Sequence, residues 1–141
     1  MENIFNSENH KKSALSAFND GYNCAQAVLI AFSDKLDIDK STAISISSGF
    51  GAGMGRLQKT CGAVTGSFMA ISHHCSKNSK DNATAKEIAI IKIREFNESF
   101  IAKHATTDCR NLLGYDLNTP EGEQQYQRQG LRKSVCEACI S

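Results

Sequence analysis

Between Gly49 and Gly55 every second residue is glycine, so four of the chain's ten glycines crowd into one short stretch. Helix and strand both disfavour that density, because glycine gives up more backbone freedom on ordering than any other residue. The segment GFGAGMGRLQKTCGAVTGSFMAISHHC, Gly49–Cys75, therefore reads as a loop that feeds a helix of small and apolar residues. Cys61 stands at the mouth of that helix. Unpaired N–H groups and the helix dipole favour negative charge there, and the thiolate is the reactive form of cysteine. Arg56 and Lys59, just upstream, supply positive charge that favours the same anion. A loop with few side chains also lets a ligand or another backbone approach closely. Gly51, Gly53, Gly55 and Arg56 are accordingly the candidate cofactor-binding positions. The G-x-G-x-G pattern lacks the Gly-Lys-Ser/Thr of a nucleotide-binding loop, and no strand precedes it. The plainer alternative is a tight connection between two helices.

The rest of the chain reads as helices. Glu8–Asn19 is the first, capped by Ser7 or Asn9, with Ala14, Leu15 and Phe18 on its inner face; Gly21 stops it. A second runs from about Tyr22 to Lys35 with Cys24, Val28, Ala31 and Phe32 at helical spacing. Asp39 or Ser41 caps a short third helix, Thr42–Ser48. The fourth is Cys61–Cys75, with a stripe at Cys61, Thr65, Phe68, Ser72 and Cys75 and a Gly62/Gly66 pair that permits close approach of another helix. Cys61 and Cys75 lie about 21 Å apart along it, too far for a disulfide. The longest helix starts at Asn82 or Thr84 and reaches about Lys103. Ala85, Ala89, Ile93, Phe96 and Phe100, widened by Ile88 and Ile91, predict it to be a central packing element. Thr107 and Asp108 cap a short helix, Cys109–Leu113, ended by Gly114. A helical piece around Glu121–Gln129 and a last helix, Leu131–Ile140, complete the chain. The expected fold is all-α: one domain over residues 1–141, a bundle of about five to seven helices, with the glycine-rich loop before the central cysteine-bearing helix.

Composition narrows the function. The net charge of +1 supplies neither a basic field for nucleic acid nor an acidic tail for a basic partner. The longest apolar run, Ala27–Phe32 and its flanks, falls far below the roughly 18 residues of a membrane span. The opening residues, MENIFNSENHKKSALSAF, lack the charged start and apolar stretch of a secretion signal, so the expected compartment is the cytoplasm. Stable disulfides are uncommon there, and the six cysteines are then candidates for catalysis, redox exchange or metal binding. Core filling is the competing fate for each of them. The lone C-x-x-C, Cys136–Cys139, lacks both the βαβ setting of a thioredoxin-like site and the second pair of a zinc ribbon. His73-His74-Cys75 could offer metal ligands, although neighbouring helical residues point in different directions.

GYNCAQAVL, then GFGAGMGRLQKTCGAVTG, then CRNLLG, then a C-terminal cysteine, together resemble the CGAxxG four-cysteine (C_GCAxxG_C_C) family of probable redox-active proteins. The resemblance covers nearly the whole chain. Carried over by motif, it implies Cys24, Cys61, Cys109 and Cys136 as the characteristic cysteines, and leaves Cys75 and Cys139 as extras. The four belong to separate elements and can meet only through tertiary folding. Two chemistries are then open. One is thiol–disulfide exchange or electron transfer, with Cys61 as nucleophile and Cys24, Cys109 or Cys136 as its resolving partner, which needs no cofactor. The other is a metal site, an iron–sulfur cluster or zinc, held by Cys24, Cys61, Cys109 and Cys136. A non-catalytic helical interaction module is the third reading. Expected partners are a redox protein or a small thiol, with no nucleic acid and no membrane; self-association into a homo-oligomer stays open.

Overall fold

A computed structural model describes residues 8–131 together with Cys136 and Cys139. Seven helices are present among the described residues: α1 Glu8–Asn19, α2 Cys24–Leu36, α3 Lys40–Ser47, α4 Gly62–Lys77, α5 Asn82–His104, α6 Cys109–Leu113 and α7 Pro120–Arg128. No strand occurs among them; an isolated antiparallel bridge joins Thr60 to Asp108. The all-α expectation holds. The Ser7 cap and the Leu131–Ile140 helix lie outside the described residues, apart from Leu131, Cys136 and Cys139.

Local chemistry sets the helix ends. Asn23 caps α2, accepting from the Gln26 amide at 2.8 Å while the Gln26 side chain accepts from the Asn23 amide at 3.0 Å. That reciprocal box satisfies two otherwise orphaned donors, and it starts the helix at Cys24 rather than Tyr22. Asp81 caps α5 through the Thr84 amide, Asp108 caps α6 through the Asn111 amide, and Thr119 caps α7 ahead of Pro120. Gly114 closes α6 with φ 80°, in the left-handed region that glycine enters without penalty.

The core is built around α2 and α4. α2 buries Ala25, Ala27, Val28, Leu29, Ala31, Phe32, Ser33 and Leu36, more of its length than any other helix. Phe18 of α1, Leu29 and Leu36 of α2 and Val64 of α4 are almost wholly withdrawn from water. Each such side chain contributes about 1.5–3 kcal/mol of transfer free energy. The crossing of α2 and α4 depends on the Gly62/Gly66 pair. A β-carbon on Gly62 would sit 2.8 Å from Cβ of Cys24, and one on Gly66 would sit 2.9 Å from the Ala25 carbonyl oxygen. The two backbones meet because α4 has no side chain at either place.

Two packing expectations are corrected. α5 is peripheral: it packs on α4, buries only Ala85 and Phe100, and leaves Ile88, Ile90, Ile91 and Ile101 exposed. Its isoleucines spread around the helix, so a single line of contact with one neighbour cannot cover them, and Ile93 and Phe96 are half-buried beside that line. Phe96 meets Phe68 of α4 edge-on, with ring centroids 6.0 Å apart. On α4, Ser72 is exposed, and the buried side runs instead through Ala63, Gly66, Ser67, Ala70 and Ile71. The helix turned this way because its smallest residues face α2.

Candidate functional site

Three helix N-termini converge on one place. Cys24 is the first residue of α2, Cys61 caps α4, and Cys109 is the first residue of α6. The close approach at Gly62 brings the first two together. Backbone hydrogen bonds attach the third: the Cys61 amide donates to the Thr107 carbonyl at 2.7 Å, and the Cys109 amide donates to the Lys59 carbonyl at 2.6 Å.

The glycine-rich loop forms the wall between them. Ala52, Gly53, Met54, Gly55, Arg56 and Gln58 all take positive φ, between 50° and 72°, so the chain winds left-handed here. Glycine occupies two of these positions at no steric cost. The other four, Ala52, Met54, Arg56 and Gln58, cost about 1–2 kcal/mol each. Side chains and backbone hold the loop in that state. Buried Gln58 donates to the Tyr115 carbonyl and accepts from the Leu117 amide, both at 2.8 Å. Asn118 donates to the Arg56 carbonyl at 2.7 Å, and within the loop the Gly55 amide donates to the Gly49 carbonyl at 2.7 Å. The loop is fixed by these hydrogen bonds.

A cavity of about 540 Å³ lies inside this wall. Five cysteines line it: Cys24, Cys61, Cys109, Cys136 and Cys139. Gly51, Gly53, Gly55 and Arg56 line it too, as do the apolar Phe18, Leu112, Leu113 and Leu117. Exposed Gly55, Arg56 and Gln127 belong to the same wall, so the cavity opens to solvent on that side. Cys75 does not line it; it lies far along α4, near Lys92 of α5.

All six cysteines are free thiols. Within the cavity four of them face one another as two thiol pairs. Cys61 pairs with Cys139, and Cys24 with Cys136. The Tyr126 hydroxyl lies 3.8 Å from the Cys136 sulfur. In the first pair one sulfur ionises at the expense of the other. The Cys139 thiol donates to Cys61 and draws the Cys61 pKa down against the opposing effect of burial, and the Ala63 and Val64 amides at the start of α4 assist. Neither amide closes a conventional capping bond to the sulfur, so their contribution is that of nearby dipoles. Cys139 is pushed up correspondingly, first by its bond to Cys61 and then by burial. Cys24 is raised well above the ordinary thiol value by its bond to Cys136 and by burial. Burial, reinforced by the charges of Cys61 and Cys136, pushes Cys109 up to about 12, although a hydrogen bond from Gln58 opposes the shift. Cys61 is thus lowered where Cys24, Cys109 and Cys139 are raised, and it is 6% exposed.

The Arg56 guanidinium donates to the Leu117 carbonyl at 2.7 Å and to the Glu123 carboxylate at 2.9 Å, which ties the loop to α7. His73 and His74 turn apart, His73 to the Leu36 carbonyl and His74 to Asn78. Among the described residues no three His, Cys, Asp or Glu side chains form a group that could hold a metal ion. Of the four cysteines named as an alternative ligand set, Cys61 faces Cys139, Cys24 faces Cys136, and Cys109 faces Gln58. Cys139 is the site residue that sequence reasoning set aside. Its spacing of three residues from Cys136 was the available signal, since residues three apart share a helix face. Gln58 was also missed, and nothing in a loop sequence marks a glutamine as buried.

Among the described residues no helix is long and apolar enough to cross a membrane. No curated protein and no solved structure matches the chain. A family model described as putative redox-active protein (C_GCAxxG_C_C) matches residues 22–141, the span that holds all six cysteines, and the chain belongs to that family.

Proposed function

We propose that this protein carries out thiol–disulfide exchange in the cavity, with Cys61 as the attacking thiolate. The observation that carries the reading is the setting of Cys61: a sulfur at a helix start, beside a second thiol in the cavity, with its pKa lowered despite burial. A nucleophilic cysteine needs an appreciable thiolate fraction near neutral pH and a neighbouring thiol to resolve the mixed disulfide. The cavity shifts Cys61 in the direction of the first requirement and places further thiols beside it for the second. Cys24, Cys109 and Cys136 surround the nucleophile, and the exchange partner is a small thiol compound or a redox protein. A reducing compartment such as the cytoplasm would return the thiols to the free state.

Alkylation of the native protein with iodoacetamide near neutral pH, followed by peptide mapping, tests the assignment. Cys61 should be modified fastest, and Cys61→Ser should abolish exchange with a disulfide substrate while its helical circular dichroism is retained. If Cys136 and Cys139 react first and Cys61 stays unlabelled, the nucleophile assignment fails.

A further inference from the structure

The cavity holds more thiols than a single exchange reaction uses. A nucleophile and a resolving thiol account for two of the five, and the other three are neither scattered nor equivalent. Cys139 faces Cys61 of the α4 start, and Cys136 faces Cys24 of the α2 start, inside the one cavity that all four line. The two C-terminal cysteines are three residues apart, the C-x-x-C spacing at which a disulfide can close within the motif. The four sulfurs thus share one cavity, with Cys139 next to Cys61 and Cys136 next to Cys24, and the C-x-x-C spacing links the two pairs. Cys109 stands outside these pairs: its thiol is held by Gln58 and kept protonated by burial.

We propose that Cys139 and Cys136 form a relay that carries a disulfide from Cys61 to Cys24, so that the reduced protein reduces two small organic disulfides before it must itself be reduced. The inference rests on the exchange reading above. The substrate is a low-molecular-weight disulfide because Cys61 and Cys139 are 6% and 9% exposed and are reached through a cavity of about 540 Å³, too small for a folded partner.

Each step conserves atoms and electrons. The Cys61 thiolate attacks one sulfur of RS–SR; the S–S bond breaks, RS⁻ leaves and takes a proton, and Cys61–S–S–R remains. Cys139, having given up its proton, attacks the Cys61 sulfur and expels the second RS⁻, which leaves a Cys61–Cys139 disulfide. Cys136 gives its proton to the departing RS⁻, attacks the Cys139 sulfur and releases the Cys61 thiolate. Cys24 then attacks the Cys136 sulfur and releases Cys139, which takes up the Cys24 proton. The disulfide now joins Cys24 to Cys136, and Cys61 and Cys139 are ready for a second RS–SR. Over both rounds two molecules of disulfide become four of thiol, and four cysteine thiols become two disulfides.

The test uses the full chain carrying Cys75→Ser, reduced, freed of reductant and exposed to excess 2-hydroxyethyl disulfide. Released mercaptoethanol is counted, and after alkylation the protein's disulfides are mapped by mass spectrometry. The relay predicts about four thiols released per protein and the linkages Cys24–Cys136 and Cys61–Cys139. Cys24→Ser should leave one internal disulfide, Cys136–Cys139, a mercaptoethanol adduct on Cys61 and about three thiols released, and Cys139→Ser should accumulate a mercaptoethanol adduct on Cys61. Exchange that stops after one disulfide in the chain with all five cavity cysteines, or linkages that join Cys61 to Cys24 or involve Cys109, would overturn the relay and leave the exchange reading standing. No release at all would overturn both. The mapping on the unsubstituted cavity does not depend on how well any cavity variant folds.

Discussion

Replacing Gly62 by alanine measures how tightly the α2–α4 crossing is packed and whether that crossing builds the site. The added β-carbon would lie 2.8 Å from Cβ of Cys24, 2.9 Å from the Ala25 amide nitrogen and 3.2 Å from the Phe50 carbonyl oxygen. Carbon atoms in good contact sit about 3.5–4.0 Å apart, so the α2 backbone must retreat by about 0.7–1.2 Å. Side-chain rotation cannot relieve this, because a β-carbon and a backbone nitrogen are the atoms in the way. Overpacking of this kind costs about 1–3 kcal/mol. Alanine regains about 0.5–1 kcal/mol relative to glycine within a helix. The net expectation is a loss of about 1–2 kcal/mol. For a domain of this size that lowers the thermal midpoint by about 4–8 °C. Gly49→Ala is the control, because a β-carbon there meets nothing within 4 Å and its φ is not positive. Thermal unfolding of the reduced proteins followed by circular dichroism reads the difference. A Gly62→Ala protein with a midpoint equal to or above that of the parent would refute the claim that this glycine is required by contact with α2.

Three further outcomes are expected. Gln58→Ala leaves the Tyr115 carbonyl and the buried Leu117 amide without their partner and should cost about 2–4 kcal/mol in urea unfolding; a loss below half a kcal/mol would show that the loop is held by other means. Phe100→Ala should cost about 3–5 kcal/mol while Ile91→Lys, on the exposed side of α5, changes stability by less than about 0.5 kcal/mol; the reverse order would mean that α5 packs by its other face. Stability should fall as pH rises above about 8.5, the unfolded thiol value. Cys24 and Cys109 have raised folded values, so their contribution is complete below that pH and is lost above it, for Cys109 until about 12. Each adds a slope of about 1.4 kcal/mol per pH unit. Cys61, with a lowered value, contributes in the opposite sense and reaches its full effect by about the same pH. Urea midpoints that stay level from pH 8.5 to 10.5 would contradict the burial of these thiols.

Sequence alone determined the helices, the separation of Cys75 from the other thiols, and the placing of Cys61 at a helix start. These are local matters: apolar residues at helical spacing, capping residues such as Asp81 and Asp108, glycine density, and a fixed rise per residue act within a few positions of the chain. The helix bounds differ from expectation by a residue or two where a specific cap intervenes, as at Asn23. The tertiary structure decided which thiol faces which. That Cys139 meets Cys61 and Cys136 meets Cys24 follows from the crossing of α2 and α4 and from where the chain returns after α7, contacts between residues far apart in sequence. The left-handed winding of Ala52–Gln58 was equally hidden, because four of its residues are not glycine and adopt positive φ only where distant groups such as Tyr115, Leu117 and Asn118 hold them there. So was the outer position of α5, whose isoleucines look like core until the number of neighbours available to cover them is known.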